Sequence, residues 1–238
     1  MPDAFIAHLE FYGSLSEEER SFALDLLGPR RSIEQGADLI VEGEAASECQ
    51  VLLEGQVFRH KTLADGRRQI FSFHVPGDVV GLEAMLLGRD CTVSALTACQ
   101  VAPIARARLD QMAAQHPRLA MLTWRLSLAE IALLRERLTG LGRRSAYGRM
   151  AHLLCEVFAR QTRAGLARQN RCHFPVTQAH LADALGLSGV HTNRVLQELR
   201  QRGLIELRGR ELVILNWPGL QAAGEFEDAH RDTPDPLQ

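Results

Sequence analysis

TQAHLADALGLSGVHTNRVLQELRQR, residues Thr177–Arg202, spells two short helices separated by a turn of almost no length. Thr177 is a favourable N-cap for a helix running through Leu185, and Gly186 can take the left-handed conformation that ends it. Ser188 then caps a second helix only two residues later, so the helices must cross sharply and lie close together. Ala182 is small where that approach is expected, and Leu181, Leu185 and Leu187 supply apolar contact. On the second helix Thr192, Val195, Leu196 and Leu199 form one stripe at i, i+3, i+4, i+7 spacing. Val190, Asn193, Arg194 and Gln197 repeat that spacing two residues earlier, roughly 200° away around the helix, which turns them outward. This is the arrangement of a helix-turn-helix whose second helix reads base edges.

The residues that follow support the same reading. Gly203 breaks the helical pattern. Leu204–Leu207, an Arg208-Gly209-Arg210 turn and Glu211–Leu215 then read as a β-hairpin with a basic tip, the wing of a winged helix. Charge is distributed accordingly. The net charge of -2 hides 14 Lys/Arg against 19 Asp/Glu in residues 1–142, 12 against 5 in residues 143–215 and 1 against 5 thereafter. Positive charge concentrated around the helix-turn-helix is the footprint of a module that approaches a polyanion.

Upstream, residues 1 to about 20 read as a helical lead-in, with Ser14 or Ser16 capping before EEER. From Arg31 to Ile104 short apolar runs alternate with turns at Gly36, Gly43, Gly55, Gly66 and Gly77, the texture of an antiparallel barrel or roll. From Ala107 the pattern turns helical, and Pro117 opens a long helix to about Leu141. It carries two apolar stripes: Leu119, Leu122, Leu126, Ala129 and Leu133, and Met121, Trp124, Leu128, Ile131 and Leu138. One stripe packs the helix on its own domain. The other, at near-heptad spacing, needs the same helix of a second subunit, and the first stripe is assigned to that dimer interface. Gly140 and Gly142 mark a hinge before a further helix at roughly Ser145–Gln161.

The expected fold class is therefore α+β: an N-terminal antiparallel β-roll of the jelly-roll type (1–115), a central dimerisation helix and hinge (116–142), a C-terminal winged helix-turn-helix (143–224) and an acidic, disordered tail (225–238). No apolar run approaches membrane-spanning length and the N-terminus lacks the basic and apolar regions of a signal peptide, so a cytoplasmic protein is expected, with no membrane partner. The five cysteines are scattered and read as reduced thiols, with redox control through Cys155 or Cys172 left open. No phosphate-binding loop, HExxH zinc motif or nucleophile elbow is present, and no catalytic residue is assigned. A binding module whose winged helix contacts protein instead of DNA is the alternative reading; a salt-independent interaction would favour it.

A β-roll, a long helix and a winged helix in this order resemble the Crp-Fnr family of bacterial transcription regulators over nearly the whole chain. SAYGRMAHLL (145–154) looks like the family's helix entering the DNA-binding domain, LADALGLSGVHTNRVLQELRQRGLIEL (181–207) resembles its helix-turn-helix and first wing strand, and VEGE, LLEGQV and PGDVVG match turns of its β-roll. The resemblance implies a homodimer on palindromic double-stranded DNA, with RNA polymerase as a further partner. It implies that Arg194 reads guanine, with Asn193, Gln197 and His191 as secondary base contacts. Thr177, Gln178, Ser188, Arg208 and Arg210 are placed for phosphates. Gly189 and Val190 stand where many members carry polar or acidic base-reading side chains, so the operator does not carry over.

The effector does not carry over either. Cyclic-AMP-binding members hold the cyclic phosphate with a Gly-Glu-Leu stretch and a later Arg-Ser or Arg-Thr pair. Here the stretch reads Gly81-Leu82-Glu83-Ala84, the later position falls at Cys91-Thr92, and Arg89 is two residues out of register. Gly81, Glu83, Arg89 and Thr92 remain the candidate effector pocket. An iron-sulfur cluster is not expected, since no cysteine precedes Cys49. Haem stays open through His8, His60, His74 or His116, and so does a β-roll with no ligand at all.

Overall fold

Alternation along one strand explains how the first half of the chain is layered. In the computed structural model, which describes residues 3–45, 47–88 and 90–227, the strand Glu48–Glu54 turns Cys49, Val51 and Leu53 to one side and Leu52 to the other. Cβ directions alternate along a strand, so each set lines a different core. Leu52 joins Ile40, Val57, Val80, Val93, Ala95, Cys99 and Val101 in a core of strand residues, the inside of the roll. Cys49, Val51 and Leu53 meet Phe5, Ile6 and Leu9 of one helix, Met112 of another and Leu119 and Leu122 of the long helix.

The elements of this half are helices α1 (Asp3–Tyr12) and α2 (Glu17–Asp25); strands β1 (Arg31–Ile33), β2 (Asp38–Ile40), β3 (Glu48–Glu54), β4 (Val57–Thr62), β5 (Arg68–His74) and β6 (Val79–Val80); the short α3 (Ala84–Leu87); β7 (Thr92–Ala95) and β8 (Cys99–Ala105); then α4 (Arg106–Gln115) and α5 (Pro117–Arg143). Two four-stranded sheets, ordered β1-β8-β3-β6 and β2-β7-β4-β5, make the roll. The five glycine turns read from the sequence all have positive φ, from 83° at Gly66 to 100° at Gly77. Ser16, not Ser14, caps α2: its Oγ accepts from Glu19 N while Glu19 Oε2 accepts from Ser16 N, a complete capping box.

The chain falls into two units, one holding the described residues up to Arg59 with Phe73–Ala132, the other His60–Ser72 with the described residues from Leu133 onward. The long helix α5 contributes to both. In the second unit follow α6 (Ala146–Arg163), β9 (Arg171–His173), α7 (Gln178–Leu185), α8 (Gly189–Gln201), β10 (Ile205–Arg208), β11 (Glu211–Ile214) and α9 (Trp217–Gly224). Here α6 is almost wholly buried, surrounded by α7, α8, α9 and β9. Gly224 lets α9 approach it, since a Cβ there would stand 2.6 Å from His152 N. The wing sheet is ordered β10-β11-β9, so the hairpin has a third strand that the sequence did not announce. Also within this unit, Arg68 at the tip of the β4–β5 hairpin bonds Asp183 of α7 through Nε (2.9 Å) and Nη2 (2.8 Å).

Three expectations need correction. Leu119 and Leu122, assigned to the dimer interface, are 1 % and 0 % exposed because they fill the chain's own core, with Ala129 buried and Leu126 packed against the same cluster. Leu119 and Leu122 cannot face a partner, while Leu126 and Leu133 are half-buried. The other stripe is the uncovered one: Trp124, Leu128 and Leu138 are 64 %, 62 % and 71 % exposed, with Met121 and Ile131 also exposed. Second, Gly140 and Gly142 lie inside α5, which runs on to Arg143; Arg144 Nη1 donates to Glu136 O and Nη2 pairs with Glu136 Oε2 (2.8 Å), tying down the last turn before Ser145 caps α6. Third, the packed chain extends past residue 224, because Phe226 is buried against His152 and Trp217. The rest of the acidic segment, residues 228–238, lies outside the described residues.

Candidate nucleic-acid interface

Caps built into the sequence set the two helices of the motif. Thr177 Oγ1 accepts from His180 N (3.2 Å), and His180 Nδ1 accepts in return from Thr177 N (3.3 Å), an imidazole standing where a capping box usually has Glu or Gln. Gly186 ends α7 with φ 62° and ψ 43°, in the left-handed region that favours glycine. Ser188 Oγ accepts from His191 N (3.3 Å) and starts α8. Thr192, Val195, Leu196 and Leu199 are then buried against α6 and α7, while Val190, Asn193, Arg194 and Gln197 are exposed, as the spacing predicts. Arg202 at the end of α8 pairs with Glu198 Oε1 (2.7 Å) and lies 4.8 Å from the Tyr147 ring of α6, holding α8 at its C-terminal end.

The exposed face of α8 is chemically open. Among the described residues Arg194 makes no ion pair and no hydrogen bond, so its planar fork of donors is unspent. Gly189 is exposed at the first position of the helix, and nothing lies within 4 Å of where a Cβ would sit. Thr177, Gln178 and Ser188 are exposed at the two helix N-termini, where backbone N–H groups and the helix dipole favour an anion. At the wing tip Gly209 turns with φ 61°. Arg208 Nε is held by Glu206 Oε1 at 2.7 Å, whereas Arg210 pairs with no carboxylate among the described residues. The sequence reading missed the edge strand β9, whose exposed Arg171 and His173 lie beside the wing. The Arg-rich composition around 168–173 was the only available signal.

Three histidines of this unit are held below their ordinary value. Burial pushes His152 down, opposed by the bond between its Nδ1 and Gly224 O (3.0 Å). Burial lowers His173, helped by the Arg210 charge, and lowers His180, helped by Arg68 against Asp183. Each stays neutral in the folded chain at a pH where the unfolded chain already binds a proton, so stability rises with pH up to the ordinary value near 6.5 and is lost as pH falls below it. Melting temperature should therefore drop below pH 6.5 more steeply in the wild type than in His152→Gln at equal ionic strength. Equal slopes would refute the assignment for His152.

The β-roll candidates come out differently. Glu83 pairs with Arg59 (2.8 Å), a buried arginine of β4, and Thr92 Oγ1 accepts from Glu42 N (3.2 Å). Gly81 is buried with φ 81°, and Arg89 lies outside the described residues. His74 faces carboxylates from both ring nitrogens, Asp78 Oδ2 at 3.2 Å and Glu130 Oε1 at 3.8 Å, while His8 faces Asp78 Oδ1 at 3.1 Å and His116 packs on Phe22. Among the described residues no three His, Cys, Asp or Glu side chains could hold a metal ion. Cys155 and Cys172 are buried, which pushes both thiols up to about 12 and disfavours the thiolate that redox control requires. No helix of the described chain is long and apolar enough to cross a membrane.

Comparison with known proteins agrees with this geometry in both halves. A family model described as cyclic nucleotide-binding domain matches residues 30–116, and one described as Crp-like helix-turn-helix domain matches residues 148–223. A probable transcriptional activator of Rhizobium leguminosarum bv. viciae is 30 % identical over 188 residues, covering 78 % of this chain and 77 % of the relative. The nitrogen fixation regulation protein FixK of Azorhizobium caulinodans is 29 % identical, covering 79 % and 76 %. The solved structure of FixK2 from Bradyrhizobium japonicum superposes with a TM-score of 0.74 at 28 % identity, covering 83 % of this chain and 97 % of that one. With the β-roll and the helix-turn-helix both matched and in order, the chain belongs to the Crp-Fnr family of DNA-binding transcription regulators.

Proposed function

We propose that the protein acts as a homodimer on two-fold symmetric promoter sites, with α8 of each subunit in successive major grooves about 34 Å apart. The observation that carries this reading is the division of α8 into a buried face and an open one bearing Arg194, Asn193, Gln197 and Val190, flanked by His191 and Gly189. Arg194 reads guanine. Thr177, Gln178, Ser188 and Arg210, with Arg208 once released from Glu206, hold phosphates. The exposed stripe Met121, Trp124, Leu128, Ile131 and Leu138 joins the two subunits. Relatives named as transcriptional activators, among them FnrA of Stutzerimonas stutzeri, support activation and hence a contact with RNA polymerase. The protein acts in the cytoplasm and catalyses no reaction.

Among the described residues, the β-roll candidates favour a reading without cyclic nucleotide. The glutamate of the expected stretch is committed to Arg59, and the threonine of the expected pair to the backbone of Glu42. A guanidinium is the group that holds a phosphate best. The regulator is accordingly read as one whose DNA binding does not require cyclic nucleotide.

Selection from a random duplex pool tests the main reading. It should return a palindrome with half-sites one helical turn apart, bound with log K falling about 0.9 for each log unit of salt per phosphate neutralised. Enrichment of single half-sites, or a salt slope near zero, would overturn it.

A further inference from the structure

We propose that Val190 reads the C5-methyl group of a thymine within two base pairs of the guanine contacted by Arg194, so that thymine is specified at that step of each half-site. The inference rests on α8 being the base-reading helix and adds to it a base that none of the hydrogen-bonding side chains can select.

Val190 is 85 % exposed, in the first turn of α8. Single apolar side chains on a protein surface are ordinary. The position is what distinguishes this one. Val190 and Arg194 are four residues apart and share one face, separated by about 6 Å along the helix axis, so in a groove they reach base pairs at most two steps of about 3.4 Å apart. Along that face Asn193, Arg194 and Gln197 supply hydrogen-bonding groups, and Val190 alone is apolar. An isopropyl group can neither accept from an amino group nor donate to a carbonyl. In the major groove the one apolar mark on a base edge is the thymine methyl. Gly189 strengthens the case, because its missing side chain leaves the space beside Val190 open and lets the helix start approach the base edges closely.

A β-branched residue also has lower helix propensity than alanine, and here no packing inside the protein compensates for it. Contact with a methyl group in the groove removes from water an isopropyl surface that the free protein leaves wet.

The test uses the full-length protein and the palindrome obtained by selection. Each thymine within two base pairs of the guanine is replaced by deoxyuridine in both half-sites, which deletes the methyl and leaves base pairing and hydrogen bonding unchanged. At one position wild-type affinity should fall about fourfold per half-site, the effect of exposing one methyl-sized group. Val190→Ala should discriminate thymine from deoxyuridine less than wild type, and Val190→Gly should bind the two operators equally. Val190→Glu, on the same exposed and unpacked position, should replace thymine by cytosine on repeat selection, because a carboxylate accepts from the cytosine amino group. If every deoxyuridine operator binds wild type as tightly as the parent while random duplex stays weak, the Val190 assignment is wrong and the recognition helix stands. If selection yields no sequence preference at all, both are wrong.

Discussion

Arg194→Ala should abolish most discrimination between operator and random duplex while leaving the fold intact. The guanidinium lies on the open face of α8 with no ion pair among the described residues, so its loss removes no internal contact and stability should change by no more than about 0.5 kcal/mol. A bidentate contact to guanine is worth about 1–3 kcal/mol of discrimination. Two such contacts per dimer make about 2–6 kcal/mol, a loss of roughly 30-fold to 10⁴-fold at the palindrome. Non-specific affinity should fall much less, because phosphate contacts supply it. Arg194→Lys should recover charge but not specificity, since an ammonium lacks the planar fork. Titration by band shift against operator and random duplex separates these effects. A folded Arg194→Ala protein with unchanged affinity and unchanged base preference would remove the recognition assignment.

The helix-turn-helix was legible because its determinants are local. Thr177, Gly186 and Ser188 act within three residues of their own positions, and the stripe from Thr192 to Leu199 needs only the helical period. The glycine turns of the roll are local for the same reason. What the sequence hid depends on distant partners. The strand β9 is three residues long and exists because β11 pairs with it, some 40 residues later in the chain. Nothing periodic marks α9, which starts at Trp217-Pro218 and is fixed by docking on α6.

The candidate effector residues of the β-roll show the same limit from the side of charge. Arg59 sits in VFRHKT, a strand with two apolar residues followed by four polar ones, yet its first four residues are all buried. Both faces of β4 are covered, so the period-two pattern cannot tell which way Arg59 points. Its partner Glu83 lies in the segment the family resemblance marked for a ligand. The resemblance offers that glutamate as a ligand contact, and the fold gives it Arg59 as an ion-pair partner within the chain.

Leu128→Arg should convert the protein from dimer to monomer, an effect of similar size to that of Arg194→Ala but reached far from the DNA. Both stripes of α5 are equally apolar in sequence, and only the packing of α1, α4 and β3 against Leu119 and Leu122 decides which is left over. The remaining side chains, Met121, Trp124, Leu128, Ile131 and Leu138, follow alternating three- and four-residue steps with Arg135 completing the series, the spacing that the a/d seam of a two-stranded coil requires. Leu128 is at its centre. Burying a leucine is worth about 2 kcal/mol, and a dimer loses two of them, so the dissociation constant should rise by about three decades even before two arginines are set face to face. Operator affinity should collapse with it, because a half-site bound by one subunit no longer holds its neighbour at millimolar effective concentration. Sedimentation and band shift on the same samples measure the two losses together. Leu122→Ala supplies the contrast: emptying a fully buried site should cost about 2–5 kcal/mol of stability and leave the association of the folded protein unchanged. If Leu122→Ala separates the subunits and Leu128→Arg does not, the outward face of α5 has been assigned to the wrong stripe.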